Sequence, residues 1–78
     1  MRLSELPVGR SARVEQVEGQ LPLARRLADL GFLPGTRITA LRRAPLGDPV
    51  EFELRGCRLC LRRSEAECIR VRDEGSAE

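Results

Sequence analysis

The sequence predicts a mostly β domain with one helix, a small sheet curled on itself, and three observations lead there. Apolar residues alternate with polar ones over 10–17, 37–44, 50–62 and 69–71, the period of half-buried strands. Only Leu23, Leu27 and Leu30, with Ala24 and Ala28, recur at the spacing of a helical stripe. At 78 residues the chain is a single domain. It can bury roughly 60 to 65% of its unfolded surface, which suffices for one sheet layer and one helix.

Residues 3–8 open the chain: Leu3, Leu6 and Val8 form an apolar turn that Ser4 can cap and that Pro7 and Gly9 end, a lid over one end of the core. Residues 10–17 follow as a strand with Ala12 and Val14 on one face. Val17 is out of phase by one residue, which a bulge near Glu15 and Gln16 would correct. The helix is expected over 22–30, with Pro22 tolerated in its first turn. Arg25, Arg26 and Asp29 point away from its leucine stripe, either as a solvated face or as a partner surface.

The stretch 27–38, reading Leu-Ala-Asp-Leu-Gly-Phe-Leu-Pro-Gly-Thr-Arg-Ile, is the corner on which the rest is arranged. Gly31 suits the left-handed position that ends a helix, and Pro34-Gly35 suits a type II turn into the next strand. That strand, 37–44, places Ile38 and Ala40 on one face. Pro45-Leu46-Gly47-Asp48-Pro49 then makes a stiff loop with Leu46 at its tip, lacking a core partner.

Residues 50–62 read as a hairpin with Val50, Phe52, Leu54, Leu59 and Leu61 inward. Pairing Leu54 with Leu59 and Phe52 with Leu61 leaves Gly56-Cys57 as a type II′ turn. Glu51 then faces Arg62, and Glu53 faces Cys60. A helical turn over 64–68, capped by Ser64 with Glu67 completing a capping box, leads to a closing strand with Ile69 and Val71 inward. The domain is expected over 1–73, with a flexible tail over 74–78.

Composition excludes much chemistry. There is no histidine, so the commonest general base and metal ligand are missing. The fourteen basic residues are all arginine, interspersed with twelve carboxylates for a net charge of +2, which is an ordinary solvated surface rather than a basic tail. No apolar run has the length of a signal-peptide core or a membrane span, so a cytoplasmic location without membrane insertion is expected. Three cysteines, an odd number, read there as reduced thiols.

Cys57-Arg58-Leu59-Cys60 suggests zinc or redox chemistry by spacing, but no second cysteine pair and no histidine completes a tetrahedral site. A redox pair would also want its first cysteine at a helix N-terminus, not in a hairpin. A metal shared between two copies through Cys60 and Glu53 is the remaining metal candidate. Glu51 and Glu53 lie on an open face beside arginines, and no nucleophile, phosphate-binding glycine loop or serine elbow is present. The expectation is therefore a non-enzyme without cofactor, monomeric or weakly dimeric. Nucleic-acid binding is a competing class, since small barrels often host it, but the usual stacking aromatics are scarce with two phenylalanines in all.

Three segments in this order and spacing carry a resemblance: the 27–38 corner, Ala44-Pro-Leu-Gly-Asp-Pro, and Leu59-Cys-Leu-Arg-Arg-Ser-Glu-Ala with Ile69 and Val71. Over about Leu3 to Val71 the chain resembles the ferrous iron transport protein A (FeoA) family, small cytosolic partners of the FeoB ferrous iron permease. The resemblance implies an SH3-like small barrel of about five strands, with the helix inserted after the first. It also implies support of Fe(II) uptake through contact with the cytosolic part of the permease; modulation of the permease GTPase, by an arginine entering its nucleotide site, is a sharper version of that reading and not part of the resemblance. The same module resembles the C-terminal SH3-like domain of iron-dependent repressors. The family supplies no catalytic residues, so the partner-binding candidates come from exposure and charge: Leu46 with Asp48, and Arg25 with Arg26.

Overall fold

The computed structural model describes residues 1–76, with side chains through Glu74. Five strands are present: β1 (Arg10–Val17), β2 (Arg37–Arg43), β3 (Val50–Leu54), β4 (Cys57–Leu61) and β5 (Ile69–Ser76). They pair antiparallel in the order β4-β3-β2-β1-β5. Helix α1 (Leu21–Asp29) lies between β1 and β2, and a single helical turn, α2 (Arg63–Ala66), precedes β5. The expected mostly β architecture with a helix after the first strand is the observed one.

Bulges curl this sheet. The β1–β5 register jumps between Val14 and Gln16, leaving Glu15 as the extra residue where the sequence asks for one. A second jump lies between Ser11 and Ala12, and β2 carries its own between Ala40 and Arg42. Each extra residue bends its strand and increases the right-handed twist, so a single layer can wrap around a core. Ala12, Val14, Ile38, Ala40, Phe52 and Val71 all point into that core and are buried.

The N-terminal turn closes one end. Leu3 and Leu6 are fully buried, as a lid requires, whereas Val8 stays on the surface. The turn, Leu3–Glu5, is started not by Ser4 but by Glu5, whose Oε1 accepts the Arg2 N–H at 2.7 Å. Met1 and Val71 exchange backbone hydrogen bonds of 3.1 and 2.8 Å, so the chain start lies alongside β5. Glu18 fastens this arrangement. Its Oε1 accepts from Arg2 Nη1 at 3.0 Å and its Oε2 from Gln16 Nε2 at 2.8 Å.

The Arg2 hydrogen bond, then that of Gln16, holds the Glu18 carboxyl below its ordinary pKa. Because the folded state binds this proton less readily than the unfolded chain, the contribution is complete above the ordinary carboxylate range. It is lost as pH falls through the lowered value. Glu18→Gln should therefore flatten the acid limb of stability against pH, which urea unfolding between neutral pH and about pH 3 would measure.

At the corner the helix ends one residue earlier than its leucine spacing predicts. Gly31 N–H donates to Ala28 O at 3.0 Å and Phe32 N–H to Leu27 O at 3.1 Å, the two bonds of a Schellman motif, with Gly31 at φ +113°. This turn carries Leu30 out to 47% exposure and puts Phe32, fully buried, in its place beside Leu27. Of the expected stripe, Leu27 is buried and Leu23 only partly so. Thr36 N–H to Leu33 O at 3.0 Å, with Gly35 at φ +89°, completes the expected type II turn.

The hairpin register differs from the expected one by two residues. Leu54 pairs with Cys57, Phe52 with Leu59 and Val50 with Leu61, and the turn residues are Arg55 and Gly56. Both have positive φ, +53° and +80°, as a type I′ turn requires. A two-residue shift leaves inner and outer faces unchanged but changes every cross-strand neighbour. Glu51 now faces Cys60 and Glu53 faces Arg58. The carboxylate of Glu51 pairs with Arg42 at 2.7 Å, not with Arg62.

Helix α2 starts earlier than expected, with Arg62 as N-cap and Glu65, not Glu67, returning its Oε1 to the Arg62 N–H at 2.8 Å. Strand β5 runs to Ser76, pairing Ser76 with Arg10 and Gly75 with Ser11. Of the tail expected over 74–78, residues 77 and 78 lie outside the described residues. Among the described residues no helix is long and apolar enough to cross a membrane.

Candidate partner-binding face

The β2–β3 loop is held by its own backbone. Ala44 N–H donates to Pro49 O at 3.0 Å across its base, and Gly47 N–H to Ala44 O at 2.7 Å closes a turn over Pro45-Leu46. Proline and glycine fall at the second and fourth positions of that turn, which favours them there. Leu46 sits at the tip and is 97% exposed, far more than any other large apolar residue described. The backbone bonds of the turn hold this leucine out into solvent.

One contact ties this loop to α2, and a second ties α2 to α1. Asp48 Oδ1 accepts the N–H of Arg63 at 3.0 Å, satisfying one of the unpaired donors in the first turn of α2. Arg26 pairs with Glu65, joining α1 to the same turn. The loop is thus linked through α2 to Arg26 of α1. Asp48 and Arg26, two of the sequence candidates, have structural partners, while Arg25 is exposed. Three apolar residues not named as surface candidates are exposed at the ends of α1: Leu21, Leu30 and Leu33. Helical spacing alone places Leu30 inward; only the position of the helix end reveals otherwise.

An open hollow of about 310 Å³ lies at the foot of the loop, lined by Arg42, Arg43, Ala44, Pro45, Pro49, Glu51 and Cys60. Its charges are already engaged: Arg42 by Glu51 and Arg43 by the carbonyl of Leu6 at 3.1 Å.

The metal candidates Cys60 and Glu53 are not direct cross-strand neighbours. With the register two residues from the expected one, Cys60 has Glu51 as its cross-strand neighbour and Glu53 has Arg58. Cys57 and Cys60, three apart on one strand, point to opposite faces. The third thiol, Cys68, donates to the Ser64 carbonyl at 3.6 Å on another element. Among the described residues no three metal-ligating side chains cluster.

The family model described as FeoA domain matches residues 1–73, from the lid through the core part of β5. The chain belongs to the FeoA family. A FeoA structure from Chlorobium tepidum superposes with a TM-score of 0.89 at 45% identity, covering 100% of this chain and 74% of that one. Stenotrophomonas maltophilia FeoA, solved with zinc and described as an SH3 domain protein, gives 0.82 at 39% identity over 91% of this chain and 88% of that one. The five-stranded FeoA fold is thus the SH3-like barrel expected. A manganese-dependent transcriptional repressor shares that fold at a TM-score of 0.83 and 18% identity, over 94% of this chain and 41% of that one. A Porphyromonas gingivalis protein, described as an Fe(2+) transport protein A/Fe(2+) transporter FeoB fusion, is 41% identical over 71 residues. The match takes in 91% of this chain and 8% of the fusion protein, so the chain spans a small part of that relative's length.

Proposed function

We propose that this chain is a cytoplasmic accessory of ferrous iron uptake that works by docking on the cytosolic part of a FeoB-type permease. The observation that carries the reading is the fusion relative, in which a FeoA-like segment is covalently joined to the transporter. A tether supplies a high effective concentration, and it is useful where two modules touch each other. The geometry agrees with a contact role: a braced apolar tip at Leu46, an exposed Arg25 on α1, and no catalytic constellation among the described residues.

Leu46→Asp should reduce co-purification of the permease by roughly tenfold or more, since it removes an apolar contact and introduces a charge to be desolvated. Its melting temperature should be unchanged, because Leu46 touches no core residue. Arg25→Ala should weaken recovery further. Undiminished recovery with both variants would reject this face. GTP turnover by the permease, measured with and without the protein, tests the extension of the proposal to nucleotide hydrolysis.

A further inference from the structure

We propose that β4 pairs edge to edge with β4 of a second copy of this chain, forming a two-fold dimer in one defined register. Strand β4 is the end of the sheet order and pairs only with β3 among the described residues. The opposite edge strand, β5, is covered at Arg70 and Val71 by Met1 and Arg2. Protected edges usually carry a proline, a bulge or several charges. In β4 the sequence Cys-Arg-Leu-Cys-Leu has no proline, its pairing with β3 is uninterrupted, and Arg58 is its single charge.

The hairpin determines which backbone groups face outward. A two-residue turn closes on a hydrogen-bonded pair, here Leu54 with Cys57. Alternation then makes Phe52–Leu59 and Val50–Leu61 hydrogen-bonded as well. The N–H and C=O groups of Arg58 and Cys60 are left pointing away from β3. An antiparallel partner must meet these two residues. Setting Arg58 opposite Cys60 of the second copy, and Cys60 opposite its Arg58, satisfies all four outward donors in the pair.

The same register suits the side chains. Sliding to Arg58 opposite Arg58, or to Cys60 opposite Cys60 with Arg58 facing Arg62, would juxtapose like charges. In the favoured register each Arg58 instead reaches over Cys60 towards Glu51 of the other copy. Arg58 is available for this, since it makes no ion pair of its own among the described residues. Leu59, inward-facing but only half-buried because no strand covers its outer side, comes directly opposite Leu59 of the second copy. Each β4 edge is consumed by the contact, so assembly closes at two copies.

Two measurements test this. With Cys57, Cys60 and Cys68 replaced by serine, Leu59→Cys should form an interchain disulfide under mild oxidation at least tenfold faster than Arg72→Cys in the same background. Opposed residues of a non-hydrogen-bonded pair have the spacing a disulfide needs. Sedimentation of the unaltered protein should show a monomer–dimer equilibrium that Arg58→Pro abolishes while the circular dichroism spectrum is retained, since that N–H is not used by β3. Equal oxidation rates for the two cysteine variants, a monomer at every concentration, or a dimer that survives Arg58→Pro would each overturn the proposal.

Discussion

Phe32→Ala should remove about 3–5 kcal/mol of unfolding free energy, the usual cost of deleting a large aromatic from a closed core. Phe32 is fully buried, directly beyond the Schellman motif that ends α1, and its backbone N–H bonds to the carbonyl of Leu27. A domain of this length holds on the order of 4–12 kcal/mol in all, so the variant would sit near the edge of folding at ambient temperature. Denaturant titration should show a lower midpoint with an unchanged slope, since the surface exposed on unfolding is nearly the same. The neighbouring Leu33→Ala is the control. Leu33 is 43% exposed, and its truncation should cost less than about 1 kcal/mol.

Phe32 also marks what the sequence could and could not reveal. The corner was legible because glycine and proline have backbone reasons to be where they are: Gly31 and Gly35 both take positive φ, and the turn hydrogen bonds fall where those residues predict. The leucine stripe was less informative. Spacing assigns Leu30 to the helix face, but the chain leaves the helix there and Phe32 fills the space. The β1 bulge was readable as a phase slip in the alternation, with Glu15 as the extra residue.

The hairpin was legible in its faces and not in its register. A slip of two residues preserves the inside–outside pattern, so alternation cannot separate the two pairings. What separates them is the turn and the number of apolar pairs. The observed register sets Val50 on Leu61, Phe52 on Leu59 and Leu54 on Cys57, one more inward pair than the expected alternative. Arg55 accepts positive φ to allow it, at a cost of order 1 kcal/mol. The expected direct opposition of Cys60 and Glu53 depended on the other register. On the candidate face, Leu46 could be found from its loop alone, whereas the engagement of Arg26 by Glu65 and of the Arg63 N–H by Asp48 links residues far apart in sequence. No local pattern encodes those.

Gly31→Ala should be the most damaging single-methyl change at the corner, lowering stability by about 2–4 kcal/mol. Two effects add. At φ +113° an L-residue is strained whatever space surrounds it, a cost of about 1–3 kcal/mol. A Cβ there would also lie 3.2 Å from Leu54 Cδ1, so a fully packed leucine must give way. Gly35→Ala separates the two, because Gly35 has φ +89° but nothing within 4 Å of a Cβ. It should show the strain alone, and the difference between the two midpoints in urea measures the packing part. Leu54 closes the hairpin opposite Cys57. The packing part should therefore reappear as faster amide exchange at the β3–β4 turn in Gly31→Ala and not in Gly35→Ala. Equal losses and equal exchange in the two variants would mean that the corner does not brace the hairpin.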